Sequence, residues 1–119
     1  MGKLCLDGIL SLAIQFRNER NWGRFHSIKN LAAGLAIEAA ELQEIFLWKS
    51  DTEADEYLEG EGRICVEDEL ADITVFLLLM AERCGVDLVE AAKRKIDINR
   101  KKYPIEKSYN NASKYDELN

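Results

Sequence analysis

Histidine, cysteine, proline and long apolar runs are all scarce in this sequence, and each shortage excludes something. One histidine, His26, occurs in 119 residues. A di-iron helical bundle needs a Glu-x-x-His on each of two helices, so that chemistry is excluded. The three cysteines, Cys5, Cys65 and Cys84, are odd in number and lie far apart. They form no Cys-x-x-Cys pair and no zinc spacing, which points to packing residues in a reduced, cytoplasmic protein. No apolar run approaches the roughly 20 residues that span a bilayer. The start, Met1 to Phe16, has no clean signal-peptide core, and Leu6 stands where a myristoylation motif wants Ser or Thr. A glycine-rich phosphate loop of the Walker type is missing. So is a basic surplus: the net charge is −6, which speaks against binding a nucleic-acid polymer.

What is present is helical. Pro104 is the single proline, apolar residues recur at three- and four-residue steps, and few segments alternate as strands do. The first helix is expected from about Gly8 to Arg20, with Asp7 as N-cap and an apolar stripe of Ile9, Leu12, Ala13 and Phe16. Ser27 is placed to cap a second helix reaching about Lys49. Its seam reads Leu31, Leu35, Glu38, Leu42 and Ile45, apolar but for one acid. The acidic, glycine-bearing stretch Ser50 to Arg63 reads as a loop. A third helix is expected from about Ile64 to Gly85. A fourth opens on Asp87 with Glu90 three residues on, a capping-box variant, and stops at Pro104. Residues 1–104 thus read as one helical domain and residues 105–119 as a polar, loosely held tail. Four helices with short connections predict an antiparallel four-helix bundle. Leu77, Leu78 and Leu79 cannot all face one such core, so a homo-oligomer is expected.

Two acidic pairs stand out, Glu38 with Glu41 and Glu69 with Asp72, each spaced i, i+3 so that both carboxylates share a helix face. If the second and third helices pack antiparallel through these faces, the four acids converge. Adjacent carboxylates share protons, pair with Lys or Arg, or bind a hard divalent cation such as Mg²⁺ or Mn²⁺. Acids at this spacing are also common on solvated faces.

Several stretches in fixed order carry a resemblance: Asn21-Trp22 with Phe25-His26 and Lys29-Asn30-Leu31, the Glu38-x-x-Glu41-Leu42 run, Phe46-x-Trp48-Lys49, Glu69-Leu70-x-Asp72, and Asn99-Arg100-x-x-Tyr103-Pro104. The pattern resembles the MazG-like nucleotide pyrophosphohydrolases, in particular the short dCTP pyrophosphatases and their integron-associated relatives. The resemblance implies an all-α dimer or tetramer and Mg²⁺-dependent cleavage of a nucleoside triphosphate to monophosphate and pyrophosphate. By pattern the substrate is dCTP or a modified dCTP, in nucleotide-pool house-cleaning. It makes Glu38, Glu41, Glu69 and Asp72 the metal-binding, catalytic acids, with Glu41 as first choice for the base that takes a proton from water. It makes Trp22 and Trp48 walls of a base pocket and sets His26 near the nucleotide. Lys95, Asn99 and Tyr103, on one face of the fourth helix, approach phosphate and sugar, with Arg83 as a further phosphate cation. Phe76 stands where the family often has a tyrosine, so its ring remains for a sugar but the hydroxyl does not. The rival readings are a related enzyme acting on dUTP or phosphoribosyl-ATP, and a non-enzymatic helical oligomerisation module.

Overall fold

The computed structural model describes residues 4–118, so the Met-Gly start lies outside the described residues. The elements are α1 (Leu6–Glu19), a 3₁₀ turn (Gly23–Phe25), α2 (Ile28–Phe46), α3 (Asp51–Glu59), α4 (Arg63–Cys84), α5 (Leu88–Lys102), α6 (Ile105–Ser108) and a final 3₁₀ turn (Tyr115–Glu117). The described residues are all-helical, without a strand. None of these helices is long and apolar enough to cross a membrane.

Local chemistry explains most boundaries. Helix α1 starts one residue before Asp7, at Leu6, so Asp7 lies in the first turn, where its charge complements the helix dipole. Ser27 caps α2 as expected, its Oγ accepting the Asn30 N–H at 3.1 Å, and the Asn30 amide donates to the Phe25 carbonyl at 2.9 Å. Helix α2 ends at Phe46, three residues short of Lys49. Trp48 takes a left-handed φ of 68°, which a bulky residue rarely adopts.

The stretch Ser50–Arg63 is not the expected loop. Ser50 and Glu53 form a complete capping box that launches α3, with both reciprocal bonds at 3.1 Å. Acidic composition masked that signal. Gly62 then opens α4, packed so tightly on the Tyr57 ring that any Cβ would overlap it. Gly85, at φ 68°, closes α4 in the left-handed conformation.

The chain divides into two compact units between Gly85 and Val86. In the first, α2 packs on α4 as its main interface, with α1 and α3 also against α4. Gly34 meets Phe76, while Glu38 and Glu41, later on α2, meet Glu69, earlier on α4. The two helices therefore run in opposite directions. Its buried apolar residues are Leu31, Val66, Leu78 and Leu79, and Leu77 remains exposed. In the second unit, Asp87 caps α5 by accepting the Glu90 N–H at 3.1 Å. There the Tyr103 and Tyr115 rings meet edge to face at 6.2 Å, joining the final 3₁₀ turn to the residue that caps α5.

Candidate metal centre and adjoining cleft

The α2–α4 crossing brings Glu38, Glu41 and Glu69 together, each offering a carboxylate oxygen within 4.8 Å of the others. Glu38 and Glu69 are half-buried and Glu41 is exposed. The spacing explains this: Glu38 sits inside the apolar seam of α2, and Glu41 follows one turn along on its solvent border. Two oxygens, Glu38 Oε2 and Glu69 Oε2, are buried with no hydrogen-bond partner among the described residues. A buried acceptor without a donor is costly, and a carboxylate more so. Either a shared proton or a cation must meet these atoms. A magnesium coordination sphere, with oxygens at about 2.1 Å from the ion, spans about 4 Å, so the cluster fits a hard divalent cation.

Glu38 carries the electrostatic consequence. Burial, shared-proton bonds to Glu69 and Glu41, and the charges of Glu41 and Asp72 raise its pKa from the ordinary 4.5 to about 7. Because the folded pKa lies above the unfolded one, the folded state holds the extra proton between those values. Stability from this group is therefore fully present below about 4.5 and is lost as pH rises toward about 7. In chelator, the melting temperature of the wild type should fall behind that of Glu38→Gln across that window. Excess Mg²⁺ should remove the difference in slope. A constant gap between the two proteins in chelator would refute the buried, proton-sharing assignment.

Asp72, the fourth expected acid, stands outside the three-oxygen cluster. It is exposed and borders a cleft of about 470 Å³ in the first unit. Helix α1 supplies one wall through Ile9, Leu12 and Ala13, and α4 supplies the other through Val75, Phe76 and Leu79. Phe16 and Trp22 close one side, ring edge to ring face at 5.7 Å. The Trp22 N–H donates to the Arg17 carbonyl at 3.0 Å, which turns the chain back toward α1. Phe76 lies hard against Gly34; a Cβ there would come within 2.8 Å of the ring's Cζ.

Among these apolar walls are two further polar groups, His26 and Arg17. Burial first, then the Arg17 charge, lowers the His26 pKa, and its Nδ1 is buried without a partner among the described residues. The cleft thus gathers Trp22, His26, Asp72 and Phe76 from the expected set. It also uses Phe16 and Arg17, which sequence reasoning did not assign. Arg17 had a visible signal: it continues the Ile9–Ala13 row at four-residue steps, so it shares that face of α1.

Other expected residues are not among those lining this cleft. Trp48 is 92% exposed and does not line the cleft of its own chain. Arg83 sits in the exposed last turn of α4, fourteen residues and about 21 Å of helical rise from Glu69. That distance takes it away from a phosphate bound at the acids of the same chain. Lys95 and Asn99 are exposed on α5 of the second unit, and Tyr103, also exposed, caps its C-terminal end, its N–H donating to the Asn99 carbonyl at 2.8 Å.

An oxygen-only acidic cluster gathered by two antiparallel helices, beside an aromatic cleft, defines an all-α protein with a carboxylate centre of a size that fits a hard cation. Comparison with known proteins places it further. The model of the MazG-like family matches residues 34–118. The dCTP pyrophosphatase 1 of Mus musculus is 40% identical over 114 residues, covering 95% of this chain and 67% of the relative. The Homo sapiens dCTP pyrophosphatase 1 is 39% identical over the same shares of both chains. A crystal structure of a pyrophosphatase from Archaeoglobus fulgidus DSM 4304 superposes with a TM-score of 0.80 at 38% identity, covering 87% of this chain and 96% of that one. The chain belongs to the MazG-like family.

Proposed function

We propose that this MazG-like protein is a nucleotide pyrophosphohydrolase that cleaves a nucleoside triphosphate between the α- and β-phosphates. Its preferred substrate on this reading is dCTP or a modified dCTP. The observation that carries the proposal is the pair of orphaned oxygens on Glu38 and Glu69, beside Glu41 and at the edge of an aromatic cleft. The relatives named dCTP pyrophosphatase 1 support the choice of base.

Glu38, Glu41 and Glu69 would hold Mg²⁺ or Mn²⁺, with Asp72 on the cleft side. When bound, such an ion neutralises phosphate charge and lowers the pKa of a coordinated water. The chain's own residues supply the rest. Glu41, the exposed member of the cluster, would accept the proton of the attacking water. Trp22 offers a face or edge to the base, and stacking of this kind stabilises by about 1–3 kcal/mol per base without selecting among bases. Phe76 packs against the sugar without a hydroxyl to donate. Lys95, Asn99 and Tyr103 serve phosphate and sugar in the same reading.

The protein is further proposed to work as a homodimer or homotetramer built from an antiparallel four-helix arrangement. Ile37, Ile64, Leu70 and Trp48 are exposed apolar side chains on the first unit, of the kind an interface covers. A panel of triphosphates with pyrophosphate detection tests the reading. The expected result is release of pyrophosphate only with Mg²⁺ or Mn²⁺, fastest from dCTP, by a species sedimenting as a dimer or larger. Mg²⁺ at about 100 times its Kd should stabilise the fold by about 2.7 kcal/mol. No turnover of any triphosphate and a melting temperature indifferent to Mg²⁺ would leave only a helical oligomerisation module.

A further inference from the structure

We infer that Arg17 reads the base, its guanidinium pairing with the adjacent O2 and N3 acceptors of a cytosine ring held in the cleft. The inference rests on the proposed function and extends it to the residue that selects the base. Arg17 is a charged side chain in the wall of an otherwise largely apolar cavity, and only 16% of it is exposed. A guanidinium is not buried there without directed partners. Those it has are few: Nη1 lies 3.5 Å from Glu82 Oε2, and Nε donates to Asn18 Oδ1 at 3.3 Å. Both are long contacts. Among the described residues no bond to Nη2 is found, so the end-on edge of the fork remains for a ligand.

Geometry along α4 sets what meets that fork. Asp72 and Glu82 are ten residues apart, about 15 Å of rise, with Phe76 and Leu79 between them on the cleft wall. A nucleotide lying along this wall with its phosphates at the acids presents its base toward the Arg17–Glu82 end. Glu82 is then a positioning residue, since its ion pair fixes the plane of the guanidinium.

Donor and acceptor patterns choose the base. A guanidinium edge offers two parallel N–H donors and accepts nothing. Cytosine places two acceptors side by side, O2 and N3. Uracil and thymine place an N3–H donor next to O2, so one N–H would face another and stay unpaired. Leaving a buried donor unpaired is what makes such sites discriminate. His26 adds a second polar atom to the same wall, its Nδ1 also buried without a partner among the described residues.

Two measurements test this. The first compares kcat/KM for dCTP and dUTP in wild type, Arg17→Ala and Arg17→Lys. A bidentate arginine contact discriminates by about 1–3 kcal/mol, so Arg17→Ala should lower kcat/KM for dCTP about 10- to 100-fold more than for dUTP. Arg17→Lys keeps the charge but not the fork and should not restore the preference. An equal loss on both nucleotides, or full preference in Arg17→Lys, overturns the assignment in favour of an ion pair that merely joins α1 to α4. The second measurement is calorimetric titration with dCMP and dUMP in chelator, which needs no turnover. Wild type should bind dCMP more tightly, and Arg17→Ala should bind both alike; equal affinities in wild type overturn the assignment. A wild type that hydrolyses every triphosphate without base preference also overturns it, along with the choice of dCTP, yet leaves the α–β pyrophosphohydrolysis standing. A wild type inert toward all of them sinks the proposed function, and the titration still decides the role of Arg17.

Discussion

Glu69→Gln should abolish hydrolysis and, in the absence of metal, make the protein more stable. The two effects have opposite signs because the same carboxylate is needed with the cation and strained without it. Metal stabilisation of transition-state charge is worth several kcal/mol, and each 1.36 kcal/mol is a factor of ten in rate. Loss of one ligand from a three-carboxylate cluster should therefore cost at least about 100-fold in kcat/KM. In chelator, the substitution removes one of the acids crowding Glu38, whose proton is already retained to about pH 7. The amide can also donate to the orphaned Glu38 Oε2. Calorimetry in chelator should show a higher melting temperature than wild type, and added Mg²⁺ should no longer raise it. Near-normal activity would remove Glu69 from the centre; a lower melting temperature in chelator would contradict the proposed repulsion.

Replacing Gly34 by alanine should destabilise, against the usual preference. In a helix interior alanine is favoured over glycine by about 1 kcal/mol. Here the added Cβ would lie 2.8 Å from Phe76 Cζ and 2.9 Å from its Cδ1, too close for either to stay. Overpacking of this kind costs about 1–3 kcal/mol, and α2 cannot back away without parting the acids one turn further along. The ring must move into the cleft, so the KM for a nucleotide should rise more than kcat falls. Adding Phe76→Leu to the Gly34→Ala protein should recover much of the lost stability, because the shorter side chain clears the new methyl group. A Gly34→Ala protein that melts higher than wild type would show that ring and helix are not in contact.

The caps at Ser27 and Asp87, and the stop at Gly85, were readable because each is a local event, set by a side chain and a backbone group three residues apart or by a glycine's freedom at positive φ. Helix α3 was equally local, yet a run of acids and the glycines after it outweighed Ser50 and Glu53 in the reading. The first turn of α1 went to Leu6 because a helix start depends on what the chain packs against as well as on a good capping residue. At the site, periodicity put Glu38 with Glu41 and Glu69 with Asp72 on shared faces. It could not say that three would meet while Asp72 turned toward the cleft. That depends on the height at which α2 crosses α4, which the contact of Gly34 with Phe76 sets.

The sequence by itself determined an all-helical chain, its two acidic pairs and its family, since helical periodicity and motif order are written in residues near one another. Only tertiary structure decided which carboxylate oxygens are buried without a donor, that α1 and α4 enclose an aromatic cleft, and that Arg17 stands in its wall while Arg83 lies a long helix away. The reason is physical. Burial and desolvation belong to surfaces that meet across helices, and a residue's neighbours along the chain do not specify what will press against it from outside.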